Sequence, residues 1–188
     1  MEYAIIFLPL LGSFISGFFG KKIGDKYNQI LSSSLVGISA ILSLFIFYEV
    51  LIHDYSSNLL LFNWISSGSF NVNWSINIDP LSSIMLVVVS LISSIIHFYS
   101  IGYMVHDPHK PRFMAYLSLF TFAMLTLVTA DNFLQLFFGW EGVGLCSYLL
   151  IGFWYKKPSA NAAAIKAFIV NRAGDFGFAI GIFLIFFY

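Results

Sequence analysis

The sequence predicts an all-α, polytopic membrane protein with about six transmembrane helices. Three observations predict this class. Of the 188 residues, 59% are hydrophobic and only 10% are charged, whereas soluble domains contain roughly 45–50% and 25%. The apolar residues fall into six runs, each long enough to cross about 30 Å of hydrocarbon at about 1.5 Å per residue. The aromatic share of 19% also suits helices that face lipid.

Charge and cysteine content exclude several other classes of protein. Nine Lys+Arg balance nine Asp+Glu, so the sequence offers no basic surface for nucleic acid and no acidic tract typical of disorder. The single cysteine, Cys146, cannot by itself build a disulfide framework or a cysteine-based metal site. The first residues lack the basic segment of a signal peptide and the Arg/Ser richness of a transit peptide. We therefore expect no metal site and no nucleic-acid partner.

The predicted membrane spans are residues 3–19, 30–52, 80–104, 113–129, 132–154 and 161–188. Basic residues outside these spans occur only in the first, third and fifth connections; they are Lys21, Lys22, Lys26, Lys110, Arg112, Lys156 and Lys157. With six spans, all of them lie on one side of the membrane. The positive-inside rule then predicts that the N-terminus is outside and these loops are inside.

The long connection at about residues 53–78 is predicted to form a small β-hairpin on the outer surface. Polar and apolar residues alternate over residues 71–78, which is the period of a half-buried strand. Residues 59–65 form a second apolar run, and the turn-forming residues 66–69 separate the two. Asp79 and Pro80 then begin the third span, because Asp caps free backbone N–H groups and Pro is tolerated at the first helical position.

Four charged residues lie within the last two spans: Glu141, Lys166, Arg172 and Asp175. Each costs at least ~2.5–3.5 kcal/mol on membrane insertion. From the rise per residue, Glu141 lies roughly 14 Å and Arg172 about 13 Å from the outer end of their helices, so the two can meet. Arg172 and Asp175 share a helix face, whereas Lys166 points nearly the opposite way. The sequence predicts an acid–Arg–acid cluster, with Lys166 bringing the sum of the four charges to zero.

We interpret this cluster as an ion-handling site rather than a structural one. A buried ion pair returns about as much free energy as its desolvation costs, and apolar residues would pack at least as well. A buried carboxylate takes up a proton when its cation leaves. Movement of the cation would therefore switch Glu141 between the ionised and the protonated form. The alternative is a structural salt bridge that fixes how the last two helices dock. Carboxylates also bind sodium, so the transported ion stays open.

Two further features have competing interpretations. His97 lies near the inner surface beside Tyr99 and Tyr103. We favour the interpretation that it belongs to an aromatic belt at the membrane interface; the alternative is that it is a proton-entry residue. Glycines 139, 142 and 144 surround Glu141. They let another helix approach closely, and they also leave room for water beside the carboxylate.

Residues 139–154, GWEGVGLCSYLLIGFW, resemble the fifth helix of the antiporter-like membrane subunits of respiratory complex I (NADH:quinone oxidoreductase). Residues 163–168, AAIKAF, and 171–175, NRAGD, resemble the next helix of the largest of these subunits, the chain 5 or subunit L family. Shorter matches at residues 79–82, 97–104 and 111–113 extend the resemblance over essentially the whole chain.

The resemblance implies roles for the charged residues. Glu141 is then the glutamate of a proton-transfer channel, Lys166 a lysine of the following helix, and Arg172 and Asp175 members of its ion-pair network. Members of the family are about three times longer, and half of the inverted repeat that builds such a channel lies outside these residues.

We therefore expect the N-terminal third of a longer protein, which cannot translocate protons alone. The final residues, still apolar and uncapped, agree with this expectation. Residues 1–112 would form an N-terminal three-helix region with the hairpin, and residues 113–188 the truncated start of the antiporter-like proton-translocation domain.

The implied function is that of a proton-translocating membrane-arm subunit, in which quinone reduction elsewhere in the complex drives protons through this chain. NADH, FMN, iron–sulfur clusters and quinone belong to other subunits, so we expect no cofactor here. The implied partners are the other membrane-arm subunits and the lipid bilayer. The implied location is a bacterial or mitochondrial inner membrane.

Two alternatives remain. A subunit of a multisubunit cation/proton antiporter looks similar around the glutamate, but it departs from this sequence at residues 142–144 and 171–175. A membrane scaffold with structural ion pairs predicts that Glu141→Gln leaves transport intact.

Overall fold

A computed structural model of the protein describes residues 1–68 and 70–187. Within these residues, six helical stretches are long and apolar enough to cross a membrane; they are Glu2–Ile23, Asp25–His53, Pro80–Tyr103, Lys110–Val128, Phe133–Ile151 and Pro158–Phe187. The predicted number of spans is confirmed. Ser69 of the predicted turn and residue 188 of the predicted sixth span lie outside the described residues.

The first span is not a uniform α-helix. Helix α1 (Glu2–Phe14) continues into a π-helical segment (Ile15–Phe19) and then the short helix α2 (Gly20–Ile23). Gly24, at φ +93°, separates α2 from the next helix, in a conformation that glycine adopts readily.

Helix α3 (Asp25–His53) begins at Asp25, whereas the sequence predicted residue 30. The prediction followed the apolar run, but the helix also includes a polar first turn. The carboxylate of Asp25 in that turn interacts favourably with the helix dipole.

The predicted hairpin is present as strands β1 (Ser57–Ser67) and β2 (Phe70–Ile78), which pair antiparallel. Helix α4 (Pro80–Tyr103) follows directly. The Asp79 carboxylate accepts a hydrogen bond from the Ser82 backbone N–H at 2.6 Å, and Ser82 Oγ accepts one from the Asp79 N–H at 2.8 Å. This reciprocal cap fixes the start of α4 where the sequence predicted it.

The last three helices are α5 (Lys110–Val128), α6 (Phe133–Ile151) and α7 (Pro158–Phe187). Helix α3 packs against α1 and α4, α5 packs against α1 and α6, and α7 packs on α6. The interior of this bundle contains buried hydroxyl groups, including those of Ser32, Ser43, Ser90 and Ser118. Large apolar side chains cover the outside, as expected where lipid rather than water is the solvent and small polar residues let helices approach closely.

The basic residues gather at one end of the bundle, which we call the basic end (Lys21, Lys22, Lys26, Lys110, Arg112, Lys156 and Lys157). Lys110 Nζ lies 3.8 Å from Asp25 Oδ2. The Arg112 guanidinium donates a hydrogen bond to the Phe153 carbonyl at 3.0 Å. These contacts tie the three basic connections together, as predicted. The hairpin occupies the opposite end; that this end faces outward stays a prediction.

The outer edge of β2 docks on the corner between α5 and α6. Gln135, 1% exposed, accepts a hydrogen bond from the Ser75 N–H at 3.1 Å and donates one to the Ser75 carbonyl at 2.7 Å. The Asn77 N–H donates to the Thr129 carbonyl at 3.0 Å. Asn132 donates to the Asn73 carbonyl at 2.8 Å. The corner therefore satisfies the outer edge of β2, through one backbone bond and the side chains of Gln135 and Asn132.

Helices α5 and α6 approach closely at two glycines. A Cβ atom at Gly139 would lie 2.7 Å from Leu127 Cα, and one at Gly142 would lie 3.1 Å from Ala123 Cβ. The predicted packing role is confirmed for Gly139 and Gly142, whereas a Cβ atom at Gly144 would make only an ordinary contact, at 3.9 Å from Asn171 Nδ2.

Replacing Gln135 by leucine is expected to loosen the hairpin. The variant leaves the N–H and C=O groups of Ser75 without their partners, and an unsatisfied buried polar group costs about 1–3 kcal/mol. Hydrogen exchange of the peptide that contains Ser75 should accelerate, and the melting temperature should fall. Phe133→Leu, at a position that is 51% exposed, is the control and should change neither. Unchanged exchange at Ser75 would show that Gln135 does not hold the strand.

Gly139→Ala is expected to push α5 and α6 apart, because its methyl group meets the Leu127 backbone rather than a flexible side chain. Overpacking of this kind costs about 1–3 kcal/mol. Thermal unfolding should show the loss. Gly144→Ala is the matched control, since its Cβ would lie 3.9 Å from Asn171 Nδ2, in ordinary contact. Equal stability of the two variants would contradict the close approach.

Tyr55 is expected to make stability depend on alkaline pH. Its hydroxyl donates a hydrogen bond to the Glu2 carboxylate at 2.5 Å, and this bond raises the pKa of the Tyr55 phenol above its ordinary value. The folded state favours the neutral phenol. The contribution of Tyr55 to folding stability is therefore complete below pH about 10 and is lost as the pH rises through the raised pKa. Tyr55→Phe should remove this loss from melting curves recorded at alkaline pH, whereas Tyr27→Phe should retain it.

Candidate functional site

The predicted acid–Arg–acid cluster forms between α6 and α7. Arg172 Nη1 makes an ion pair with Glu141 Oε2 across the two helices. The same nitrogen lies 3.7 Å from Asp175 Oδ2, one turn along α7. The rise-per-residue argument placed Glu141 and Arg172 at the same depth, and the structure brings them together.

Trp140 is a member of the cluster that sequence reasoning missed. Its indole N–H donates a hydrogen bond to Asp175 Oδ1 at 2.7 Å. Asp175 is thus held by an indole on one oxygen and faces Arg172 with the other. The sequence feature that could have predicted this contact is the tryptophan itself, because an indole N–H within the membrane needs a hydrogen-bond acceptor.

The three charged side chains differ in exposure. The Arg172 side chain is 46% exposed, that of Glu141 22% and that of Asp175 9%. The Arg172 guanidinium also lies 4.8 Å from the centre of the Phe168 ring, a cation–π contact on the same helix. The cation is therefore the most accessible member of the cluster, while the carboxylates are more enclosed.

Lys166 does not join the cluster. It is exposed on α7 and makes no ion pair with any residue in the described part of the chain. Its predicted separation from Asp175 is correct. The predicted sum of zero includes Lys166, which lies outside the cluster. The formal charges of the cluster itself, Glu141, Arg172 and Asp175, sum to −1 + 1 − 1 = −1. One guanidinium serves two carboxylates, so one proton or one further cation is needed to neutralise the site.

His97 is buried among the helices, which contradicts its favoured interpretation as part of an interfacial aromatic belt. It is 0% exposed, whereas Tyr99 is 69% and Tyr103 54% exposed. Positions 97 and 99 differ by about 200° around the helix, so they face opposite ways. The belt interpretation fits the two tyrosines only.

Hydroxyl groups from two helices surround the His97 ring. Nδ1 lies 2.8 Å from the Ser93 carbonyl oxygen, and Nε2 lies 3.1 Å from Ser118 Oγ. The sequence signal for this burial was the spacing of Ser90, Ser94 and His97, which places all three on one face of α4.

Two family models match the chain. One, described as the N-terminus of chain 5 of NADH-ubiquinone oxidoreductase (complex I), matches residues 64–114. The other, described as a transmembrane region of NADH:quinone oxidoreductase and Mrp antiporters, matches residues 130–188 and so includes the whole cluster.

Curated relatives match almost the full chain. NADH-ubiquinone oxidoreductase chain 5 of Chondrus crispus is 55% identical over 99% of this chain, and that of Triticum aestivum is 56% identical over 97%. NADH-quinone oxidoreductase subunit L of Rickettsia bellii is 54% identical over 98%. The chain spans 28%, 27% and 29% of the lengths of these three relatives.

Solved structures share the fold. A chain of an archaeal membrane-bound sulfane sulfur reductase superposes with a TM-score of 0.80 at 16% identity, over 98% of this chain and 37% of that chain. A chain of the Mrp complex from a Dietzia species gives a TM-score of 0.76 at 21% identity, over 94% of this chain and 18% of that chain. At these identities the likeness concerns the fold alone.

The apolar spans and the relatives together place the chain in an inner membrane, as a multi-pass protein. The two family models and the identity of more than half of all positions to named relatives agree on one family. The chain belongs to the chain 5/subunit L family of NADH:quinone oxidoreductase, respiratory complex I.

Proposed function

We propose that the chain is part of a proton-translocating subunit in the membrane arm of NADH:quinone oxidoreductase, with Glu141 as a site that takes up and releases a proton. The observation that supports the proposal is the contact between Arg172 and Glu141 across two helices. In this contact a cation lies beside a carboxylate on a helix that is apolar and long enough to cross a membrane, and we propose that the cation moves.

The charge imbalance of the cluster supplies the switch. While Arg172 contacts Glu141, the carboxylate is stable as an anion. When the guanidinium swings toward Asp175, 3.7 Å away in the present arrangement, Glu141 loses its counter-charge and takes up a proton. Return of the guanidinium expels that proton. Trp140 holds Asp175 in place through its indole N–H throughout, so only the cation has to move.

His97 and Lys166 are secondary candidates in this proposal. His97 is a possible entry point for protons, supported by its hydrogen bonds to hydroxyl groups. Lys166 would receive a proton or pair with an acid beyond these residues, since it lies on an exposed face of α7.

The rest of the complex would supply the driving force. We propose that residues 113–188 begin the translocation domain and residues 1–112 form the N-terminal region beside it. NADH, FMN, iron–sulfur clusters and quinone would be bound by other subunits, and other membrane-arm subunits would pack against the helices described here. The relatives are named as oxidoreductase subunits, which supports membership in such a complex.

A subunit of a cation/proton antiporter is the second candidate. The description of the family model over residues 130–188 names Mrp antiporters as well. The two candidates differ in energy source, because a complex I subunit pumps when NADH is oxidised and an antiporter exchanges ions without a redox reaction.

Glu141→Gln is expected to lower proton pumping while the complex still assembles. Glutamine keeps the size and the hydrogen-bonding capacity of the side chain, but it cannot take up and release a proton. The measurement is proton uptake by vesicles that contain the complex, with NADH and quinone, expressed as protons moved per NADH oxidised. This ratio should fall well below the wild-type value.

Glu49→Gln is the matched control, since Glu49 is an exposed acid near the hairpin end whose nearest ionic partner is His53 at 4.0 Å. Its ratio should equal that of the wild type. If Glu141→Gln also retains full pumping, the cluster is a structural ion pair. Ion exchange by vesicles without NADH would favour the antiporter.

A further inference from the structure

A continuous chain of hydrogen bonds runs through the interior of helices α3, α5 and α4, well apart in sequence from Glu141. Ser32 Oγ lies 2.7 Å from Ser118 Oγ, and Ser118 Oγ lies 3.1 Å from His97 Nε2. All three side chains are 0% exposed. We call Ser32, Ser118 and His97 the polar file.

The file continues beyond His97 toward the middle of the bundle. His97 Nδ1 lies 3.3 Å from Ser93 Oγ, and Ser93 Oγ contacts Thr121 Oγ1 on α5. With the Nδ1–H group donating to the Ser93 carbonyl at 2.8 Å, Nε2 is left as an acceptor directed at Ser118. The ring therefore has an accepting side toward Ser32 and a donating side toward Ser93.

Unpaired polar atoms lie at the other end of the file. Asn28 is one helical turn before Ser32 on α3 and is 0% exposed. Neither its Oδ1 nor its Nδ2 has a hydrogen-bond partner within residues 1–68 and 70–187. Ser16, 2% exposed, has an equally unpaired Oγ as far as the structure describes the chain.

These two residues face the same region. Ser16 is one turn before Gly20, and a Cβ atom at Gly20 would lie 3.5 Å from Asn28 Nδ2. Buried amides and hydroxyls without partners destabilise the folded state, and proteins usually satisfy them with buried water. Close packing of small residues explains Ser32 and Ser118, but it does not explain an unpaired asparagine.

A cavity at the basic end extends as far as Ser16. It has a volume of about 460 Å³ and is lined by Ser16, Gly17, Lys21, Asp25 and Arg112, among others. Ser16 and Gly17 belong to the π-helical segment of the first span. Such segments occur frequently at functional sites, and here the segment contributes Ser16 to the wall of the cavity, with its hydroxyl oxygen buried behind that wall.

We propose that the cavity, Ser16, Asn28 and the polar file form a water-filled inlet that conducts protons from the basic end to His97. The role of the inlet in pumping rests on the proposed function. The existence of the inlet as a path for water does not depend on that function. Water bound at Asn28 joins the cavity to Ser32. A proton then moves by successive transfers: the water gives one to Ser32 and regains one from the basic end, Ser32 gives its own proton to Ser118, and Ser118 gives its own to His97 Nε2. Each hydroxyl ends with one proton, and the His97 ring holds the proton that entered.

The inlet is tested first by its access to water. Cys146→Ala removes the one thiol of these 188 residues, and Ser32→Cys is then introduced into the complete membrane complex, with the labelling of the Cys146→Ala complex subtracted as background. The probe is methanethiosulfonate ethylammonium, a small cation that reacts with hydrated thiols. Val36→Cys is the matched control, because Val36 is also 0% exposed on α3, one turn further from Asn28. We expect Ser32→Cys to react at least about tenfold faster than Val36→Cys, because buried polar sites hold water and apolar ones stay dry.

Equal slow reaction at the two positions would overturn the inlet. If the Ser32→Cys complex does not assemble, Ser118→Cys reports on the same water from the other side of the same hydrogen bond. Asn28→Leu provides a further check, since an apolar side chain of similar size displaces the water. It should slow the labelling of Ser32→Cys by at least about tenfold, whereas Asn28→Ser should not. Labelling unaffected by Asn28→Leu would contradict the route.

Pumping measurements separate this inference from the proposed function. Asn28→Leu and His97→Phe should lower the protons pumped per NADH, and Val36→Ile should not. If Glu141→Gln lowers pumping but Ser32→Cys stays unlabelled, the inlet is wrong and the proposed function stands. If Ser32→Cys is labelled while Asn28→Leu and His97→Phe pump normally, the water path exists but its role in pumping is wrong.

Discussion

Lipid offers no hydrogen bonds, and this constraint governs the whole structure. Every backbone polar group at membrane depth must find its partner within the protein. Helices satisfy their own backbone, so the spans are helical, and polar side chains such as those of Ser32, Ser118 and His97 turn inward to meet one another. A two-stranded sheet leaves free edges, so it is found at one end of the bundle. There Gln135 and the chain before it satisfy the outer edge of β2.

Docking of the hairpin also determines how the charged cluster is oriented. Gln135, Gly139 and Gly142 recur at spacings of four and three residues, so they share one face of α6, which contacts the hairpin and α5. Trp140 and Glu141 flank the opposite face, toward α7. Because the first face is fixed by hydrogen bonds and by the close approach at Gly139, α6 cannot rotate without breaking them. The hairpin therefore helps to hold Glu141 opposite Arg172.

The cluster itself is short of one positive charge. A structural ion pair between helices would need only Glu141 and Arg172. Here Asp175 competes for the same guanidinium and is held by Trp140. The proposed role of Glu141 rests on this arrangement, because transfer of the one cation between two carboxylates would change which acid needs a proton.

The sequence by itself determined the features that depend on distance along the chain. Hydropathy and span length predicted the six helices, alternation predicted the hairpin, Asp79 marked the start of α4, and the rise per residue placed Glu141 level with Arg172. The tertiary structure decided the features that depend on how each helix is rotated about its axis and which neighbour it meets. These are the burial of His97, the role of Gln135 and the contact between Trp140 and Asp175. Hydropathy of a membrane helix cannot supply that rotation, because lipid accepts apolar residues on every face and no amphipathic stripe marks the interior.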